Sequence, residues 1–231
     1  MPKAPRLTAK QASLLRADLA QSGWGVESVE ALLGPVAAAA LQRELRAPAL
    51  RVVRRALAAG AGATGASAAS TSSDKPSPAT GADSTSSAAN ASQARDVADY
   101  KVAVLTALFM LGEPVSAVAL ETALPRTGVA GALSIGLVVP TQTASSEQHY
   151  APAVDLRPHE AQDAHGSVRW WVASDLGELV TGQALAPDHV LGIGRAGLTL
   201  AALTPRKPVE TALDLGVGCG IQTLYLLRHV R

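Results

Sequence analysis

Between Leu57 and Val97 the chain contains no valine, isoleucine, leucine, methionine or aromatic residue. Alanine, glycine, serine and threonine fill the gap, with Pro76 and Pro78 inside it. Such a stretch cannot bury enough apolar surface to offset its ordering entropy. It predicts a structureless tether over residues 60–96, with an end-to-end span of roughly 30 Å for a Gly/Ser-like coil. Any packed structure must therefore come from the segments on either side. Hydrophobic residues make up 48% of the chain but aromatics only 3%, so leucine, valine and alanine must build the core.

The segment before the gap reads as helices. Thr8 and Gln11 have capping-box spacing, with Leu7 placed to staple the first turn. Leu14, Leu15 and Leu19 form an apolar stripe that Gly23 closes. Val26, Val29, Leu32 and Leu33 repeat at helical spacing. Gly34-Pro35 ends that helix and opens another, carrying Val36, Leu41 and Leu45, since proline is tolerated at a first helical position. Pro48 is expected to interrupt it.

After the gap the pattern turns mixed. Val97–Leu111 predicts an apolar helix closed by Gly112. Ser116 is placed to cap a helix through Ala123, Pro125 breaks the chain, and Thr127–Ser134 predicts a third helix. Leu137–Thr141, Ala151–Leu156 and Val168–Ala173 read as strands. Three short helices and then a strand pair is the order of a winged helix. Asp175–Pro187 reads as a connection. Leu198–Leu203 predicts a short helix, Thr211–Leu215 a compact buried strand and Ile221–Val230 a helix.

The last of these junctions is Asp214-Leu215-Gly216-Val217-Gly218-Cys219-Gly220, between the predicted strand and helix. Glycines admit backbone angles closed to other residues and let a ligand lie against the main chain. A following helix presents unpaired N–H groups to that ligand, and open parallel sheets bind ligands at such strand ends. The dinucleotide fingerprint Gly-x-Gly-x-x-Gly does not fit, because the third glycine comes one place early. The Gly-Lys-Ser/Thr of a phosphate loop is missing. A carboxylate at Asp214 suits a ligand bearing an ammonium group better than a pyrophosphate.

With Ala212-Leu213 before it and Ile221-Gln222 after it, this stretch resembles the first motif of class I S-adenosylmethionine-dependent methyltransferases. It is most similar to the small-domain group, which includes rRNA guanine and release-factor glutamine methyltransferases. Asp155-Leu-Arg-Pro, Trp170-Trp171 and Asp188-His-Val-Leu-Gly192 resemble the upstream layout of large actinobacterial members. The resemblance implies an α/β fold: a helical, winged-helix-like region over 1–186 for substrate recognition, then the start of a Rossmann-like methyltransferase domain over 187–231. It also implies S-adenosyl-L-methionine as cofactor, bound by Asp214, Leu215, Gly216, Val217, Gly218 and Gly220, with Cys219 as a packing residue. The expected reaction is N-methylation of a nucleic-acid base or a protein amide, with a nucleic acid or a protein as partner. The family's Asn-Pro-Pro-Tyr motif, which holds the acceptor, does not occur in the sequence. The catalytic residues are accordingly expected beyond Arg231. A non-catalytic nucleic-acid or protein binding module is the competing expectation.

Other residues carry weaker signals. Arg43, Arg46, Arg51, Arg54 and Arg55 form either a nucleic-acid strip or a solvated face; a net charge of +1 favours the latter. The Thr127–Ser134 helix lacks basic residues, with only Arg126 before it, which favours packing or docking over DNA reading. His149, His159, His165 and His189 have no metal-ligand periodicity, so no metal is expected. In the methyltransferases that this stretch resembles, the segment before the first motif folds over the cofactor, which implies a contact from Arg195 or Thr199; a turn and helix cap is the alternative. Trp170 and Trp171 alternate along a strand, one toward the core and one half-exposed. Cys219 is the sole cysteine, no apolar run reaches the ~20 residues that span a bilayer, and Met1–Lys10 lacks a signal-peptide core. A cytoplasmic protein with no membrane partner is the expectation.

Overall fold

The computed structural model describes residues 5–68, 84–143, 146–164 and 166–231. The chain is mixed α/β, mostly helical, with two small antiparallel sheets. Among the described residues no single helix is long and apolar enough to cross a membrane.

The first helix, α1 (Ala9–Gln21), starts with the capping box its sequence encodes. Thr8 Oγ1 accepts the Gln11 N–H, and Gln11 Oε1 accepts the Thr8 N–H at 2.9 Å. Helix α2 (Val26–Leu41) is broken at Gly34, whose φ of 68° is open to glycine, and Pro35 restarts it. Helix α3 covers Arg46–Ala68 and α4 covers Ser84–Leu105, continuing into a π-helical turn at Thr106–Met110.

Two expectations are corrected here. Pro48 does not interrupt a helix; it lies in the first turn of α3, where no intrahelical donor is lost. The break falls instead at Glu44, with φ of 63°. The tether expected over 60–96 is helical at both ends, to Ala68 and from Ser84, and alanine, the strongest helix former, recurs in both stretches. Residues 69–83 lie outside the described residues.

Trp24 is fully buried at the centre of the helical layer. Its ring packs 6.0 Å from Phe109, and its Nε1 donates to Thr106 Oγ1 at 3.1 Å within the π-helical turn. Val29, Leu33 and Ala37 of α2, Ala49 and Val53 of α3, and Leu105 and Leu108 close the core around it. Fully burying each of these larger side chains is worth about 1.5–3 kcal/mol.

Next come β1 (Val115–Ser116), α5 (Ala117–Ala123), α6 (Gly128–Ser134), β2 (Val138–Thr141) and β3 (His149–Pro152). Ser116 caps α5 by accepting the Ala119 N–H, as its position predicts. The three strands form one antiparallel sheet in the order β1-β3-β2, with Val115 opposite Tyr150 and Val138 opposite Pro152. A nine-residue hairpin pair follows, β4 (Asp155–Asp163) with β5 (Gly166–Ser174). The strand expected over Ala151–Leu156 is thus two strands in two sheets. The break at Ala153-Val154 lets Leu156 reach the core while His149–Pro152 stays paired with β1 and β2.

The C-terminal part holds α7 (Glu178–Thr181), α8 (Arg195–Leu203) and α9 (Ile221–Leu226). The strand expected over Thr211–Leu215 does not form. The only parallel pairing there is a single bridge of Val209 to Val230, and Leu213 and Leu215 stand 80% and 84% exposed. A buried parallel strand draws its stability from neighbours on both sides, and among the described residues none lies alongside this one. Helix α9 is also shorter than expected, because its last turn unwinds where Val230 turns back to pair with Val209.

Candidate functional site

The glycine run forms a tight turn leading directly into α9. Gly216, Gly218 and Gly220 adopt φ of 74°, 54° and 81°, the left-handed region that side chains resist. Within the turn Gly220 N–H donates to Val217 O at 2.8 Å, and Gly220 O accepts Leu224 N–H, starting the helix. A side chain at Gly216 or Gly220 would project into open space, so the constraint there is backbone conformation rather than packing.

Asp214 is the ordered acid of the turn. It is half-buried, and its Oδ2 accepts the Thr223 hydroxyl at 2.6 Å, a short charge-assisted bond that ties the entry of the turn to α9. Leu215 and Val217 are exposed, and Cys219 is half-buried. A cavity of about 240 Å³ lies beside Asp214, walled by α8 and α9 and reached by Arg206, Tyr225 and His229. His229 is 93% buried (7% exposed), and its Nδ1 has no hydrogen-bond partner. Gln222 Nε2 donates to Gly197 O and locks α9 to α8.

The hairpin holds this segment from behind. His159 on β4 meets the Tyr225 hydroxyl at 2.9 Å through Nε2, and Trp170 on β5 packs edge-on to Tyr225 at 5.3 Å. Arg206 covers the Tyr225 ring at 5.2 Å. Arg228 makes a bidentate pair with Asp163, at 2.6 and 2.9 Å, and donates to Gly166 O in the hairpin turn. Burial pushes the His159 imidazole below its ordinary range, with Glu160 opposing. The Asp163 partner raises the Arg228 guanidinium.

The sequence singled out Asp214, Leu215, Gly216, Val217, Gly218 and Gly220, and these lie together in the one turn. It missed Thr223, Tyr225, Arg206 and Arg228. Thr223 was legible in retrospect, as a hydroxyl one turn into the helix after an acid. The hairpin contacts join residues 55 or more positions apart, and no local pattern signals them.

Other expected residues scatter. Arg195 and Thr199 are exposed on α8 and do not line the cavity. Trp171 faces the core and donates from Nε1 to Trp24 O at 3.0 Å, whereas Trp170 faces Tyr225, as strand alternation requires. The arginine strip is divided: Arg46 donates to Leu179 O, Arg54 pairs with Glu113 at 2.7 Å, and Arg43 donates to Ala39 O. His149 sits beside Thr143, and His189 Nδ1 is 4.0 Å from Asp175. His165 lies outside the described residues. Among the described residues no cluster of histidine, cysteine and carboxylate has a metal-binding arrangement.

No curated protein and no solved structure matches the chain. One family model does, a domain of unknown function (DUF7059), over residues 21–148. The match runs from the last residue of α1 to the residue before β3, so it takes in α2 to α6 with β1 and β2, but not β3, the hairpin or the glycine turn. It spans more than half of the sequence, and the chain belongs to the DUF7059 family.

Proposed function

We propose that this chain is part of an S-adenosylmethionine-dependent methyltransferase, with the turn at Asp214–Gly220 as its cofactor-binding loop. The observation that carries the reading is the Asp214 carboxylate, fixed by Thr223 at the foot of three left-handed glycines entering α9. These residues fit one end of the cofactor. The carboxylate complements an α-ammonium, and the glycine backbone leaves open space for a ligand against the main chain. The adjoining cavity of about 240 Å³ is smaller than a complete small-molecule site of roughly 300–1,000 Å³, so these residues contact part of the ligand only. When bound, the cofactor supplies an electrophilic methyl group on a sulfonium. The chain's part is to orient it, with Asp214 as anchor and Thr223 holding Asp214.

The same reading assigns 187–231 to the cofactor domain and 1–186 to recognition of the methyl acceptor. Support for a winged-helix-like arrangement comes from the order helix, β1, α5, α6, β2, β3 and the strand order β1-β3-β2. A protein acceptor is favoured over DNA read through α6. That helix has no basic residue, and Arg126 at its start is taken up by Asp18 of α1.

Calorimetric titration of S-adenosylmethionine into the protein tests the proposal. Saturable one-to-one binding, weakened about tenfold or more in Asp214→Asn, is expected. An absence of binding heat with folded protein overturns it and leaves a non-catalytic binding module.

A further inference from the structure

We infer that the open edge of β5 and the facing side of α1 form a docking groove for an extended acidic segment of a partner protein, which adds to the hairpin as a third strand. This rests on contacts outside the glycine turn and does not depend on cofactor binding.

Among the described residues β5 pairs only with β4, so its other edge presents unsatisfied backbone N–H and C=O groups. Such an edge is a template for another strand unless it is blunted or covered. Here a groove of about 690 Å³ runs along it. Five consecutive residues of β5, 167–171, line one side, which brings both faces of the strand and so its edge to the groove, while Leu156 of β4 extends the floor under one face of the hairpin. The other wall is chiefly one face of α1, residues 12, 15, 16, 19 and 20 at helical spacing, and Leu7, with Leu224 of α9, completes the lining. A strand edge facing a helix across an apolar trough is the geometry by which peptides are bound through strand addition.

The lining specifies the occupant. Leu15, Leu19, Leu156 and Trp171 give an apolar floor that takes alternate side chains of an added strand. The charged residues on the rim are Arg16 and Arg169, with no acid among the lining residues. Arg169 is paired with Glu160 at 2.8 Å, whereas Arg16 is exposed and forms no ion pair among the described residues. The trough therefore complements a peptide with apolar residues inward and carboxylates toward Arg16. A nucleic acid fits less well. Two arginines do not track a phosphate backbone, and the two tryptophans in the lining are already engaged, Trp171 with Trp24 O and Trp170 with the Tyr225 ring.

The test uses a fluorescein-labelled decapeptide alternating valine and glutamate, with the full chain, read by fluorescence anisotropy and amide hydrogen exchange. The counterparts are a decapeptide alternating valine and lysine and a ten-nucleotide oligothymidine. Expected is saturable binding of the glutamate peptide and slowed exchange of amides within 167–173. Arg16→Glu should weaken binding about fivefold or more, and Ala20→Trp, which fills the trough, should abolish it. Both sites are exposed on α1, and circular dichroism checks that both variants stay folded. Equal binding of the lysine peptide, full binding by folded Ala20→Trp, or peptide binding without protection of 167–173 overturns the inference. So does failure of the glutamate peptide, whether or not oligothymidine binds.

Discussion

The Asp18 carboxylate of α1 accepts the backbone N–H of Thr127 at 2.8 Å, at the first turn of α6. It also accepts the Arg126 N–H and the Arg126 guanidinium, and it is 1% exposed. At the other end of both helices Gln11 Nε2 donates to Ser134 Oγ at 3.2 Å. A single carboxylate thus joins two helices over 100 residues apart and satisfies donors at the start of α6 that its own turn leaves open.

Asp18→Ala leaves those part-buried donors without their acceptor and is expected to lower stability by about 1–3 kcal/mol in urea unfolding. Arg126→Ala is expected to cost under about 1 kcal/mol, because the guanidinium is 43% exposed and the backbone bonds to Asp18 survive. Equal losses in the two variants would mean that the ion pair, not the backbone cap, carries the junction.

Gly60 lies against Tyr100, and a Cβ there would fall 2.4 Å from the ring. Glycine to alanine in a helix ordinarily stabilises by up to about 1 kcal/mol. Here the sign is expected to reverse, with Gly60→Ala losing about 1–3 kcal/mol from overpacking between α3 and α4. A raised melting temperature would contradict the close approach.

The His159 imidazole is held below its ordinary pKa of 6.5, chiefly by burial. As pH falls through 6.5 the unfolded chain takes up the proton before the folded one. Stability is therefore lost progressively from about pH 7.5 down to the lowered folded pKa, and levels off below it. Nε2 lies 2.9 Å from the Tyr225 hydroxyl, so the loss is read at the junction of the hairpin with α9. Urea midpoints for the protein and for His159→Gln at pH 7.5 and 5.5 test this, and a smaller pH dependence is expected in the variant. An unchanged dependence would place the titrating group elsewhere.

Thr223→Val removes the hydroxyl that Asp214 accepts while keeping the side chain's volume. Affinity for S-adenosylmethionine is expected to fall about tenfold with a stability change under about 1 kcal/mol, and Thr223→Ser to restore it. Equal affinity across the three would remove Thr223 from any positioning role.

Local chemistry made much of this structure legible. Thr8 with Gln11, Gly34-Pro35 and Ser116 each act within four residues, and each does what its sequence encodes. The Asp214–Gly220 turn belongs to the same class, because glycine spacing fixes backbone conformation locally. What the sequence concealed depends on distant partners. The strand expected over Thr211–Leu215 needs neighbours that a local pattern cannot supply. The division at Ala153-Val154 follows from the pairing of two different sheets, and the fixing of α9 by Tyr225, Arg206 and Arg228 involves residues from β4 and β5.

The most direct test of the account is amide NMR of the isotope-labelled protein titrated with S-adenosylmethionine. The account predicts saturable shifts of the Gly216, Gly218 and Gly220 amides and of Thr223, little change in β1–β3, and no comparable effect from NAD. Glycine-turn amides that stay unmoved at saturating S-adenosylmethionine, or that respond equally to NAD, would contradict it.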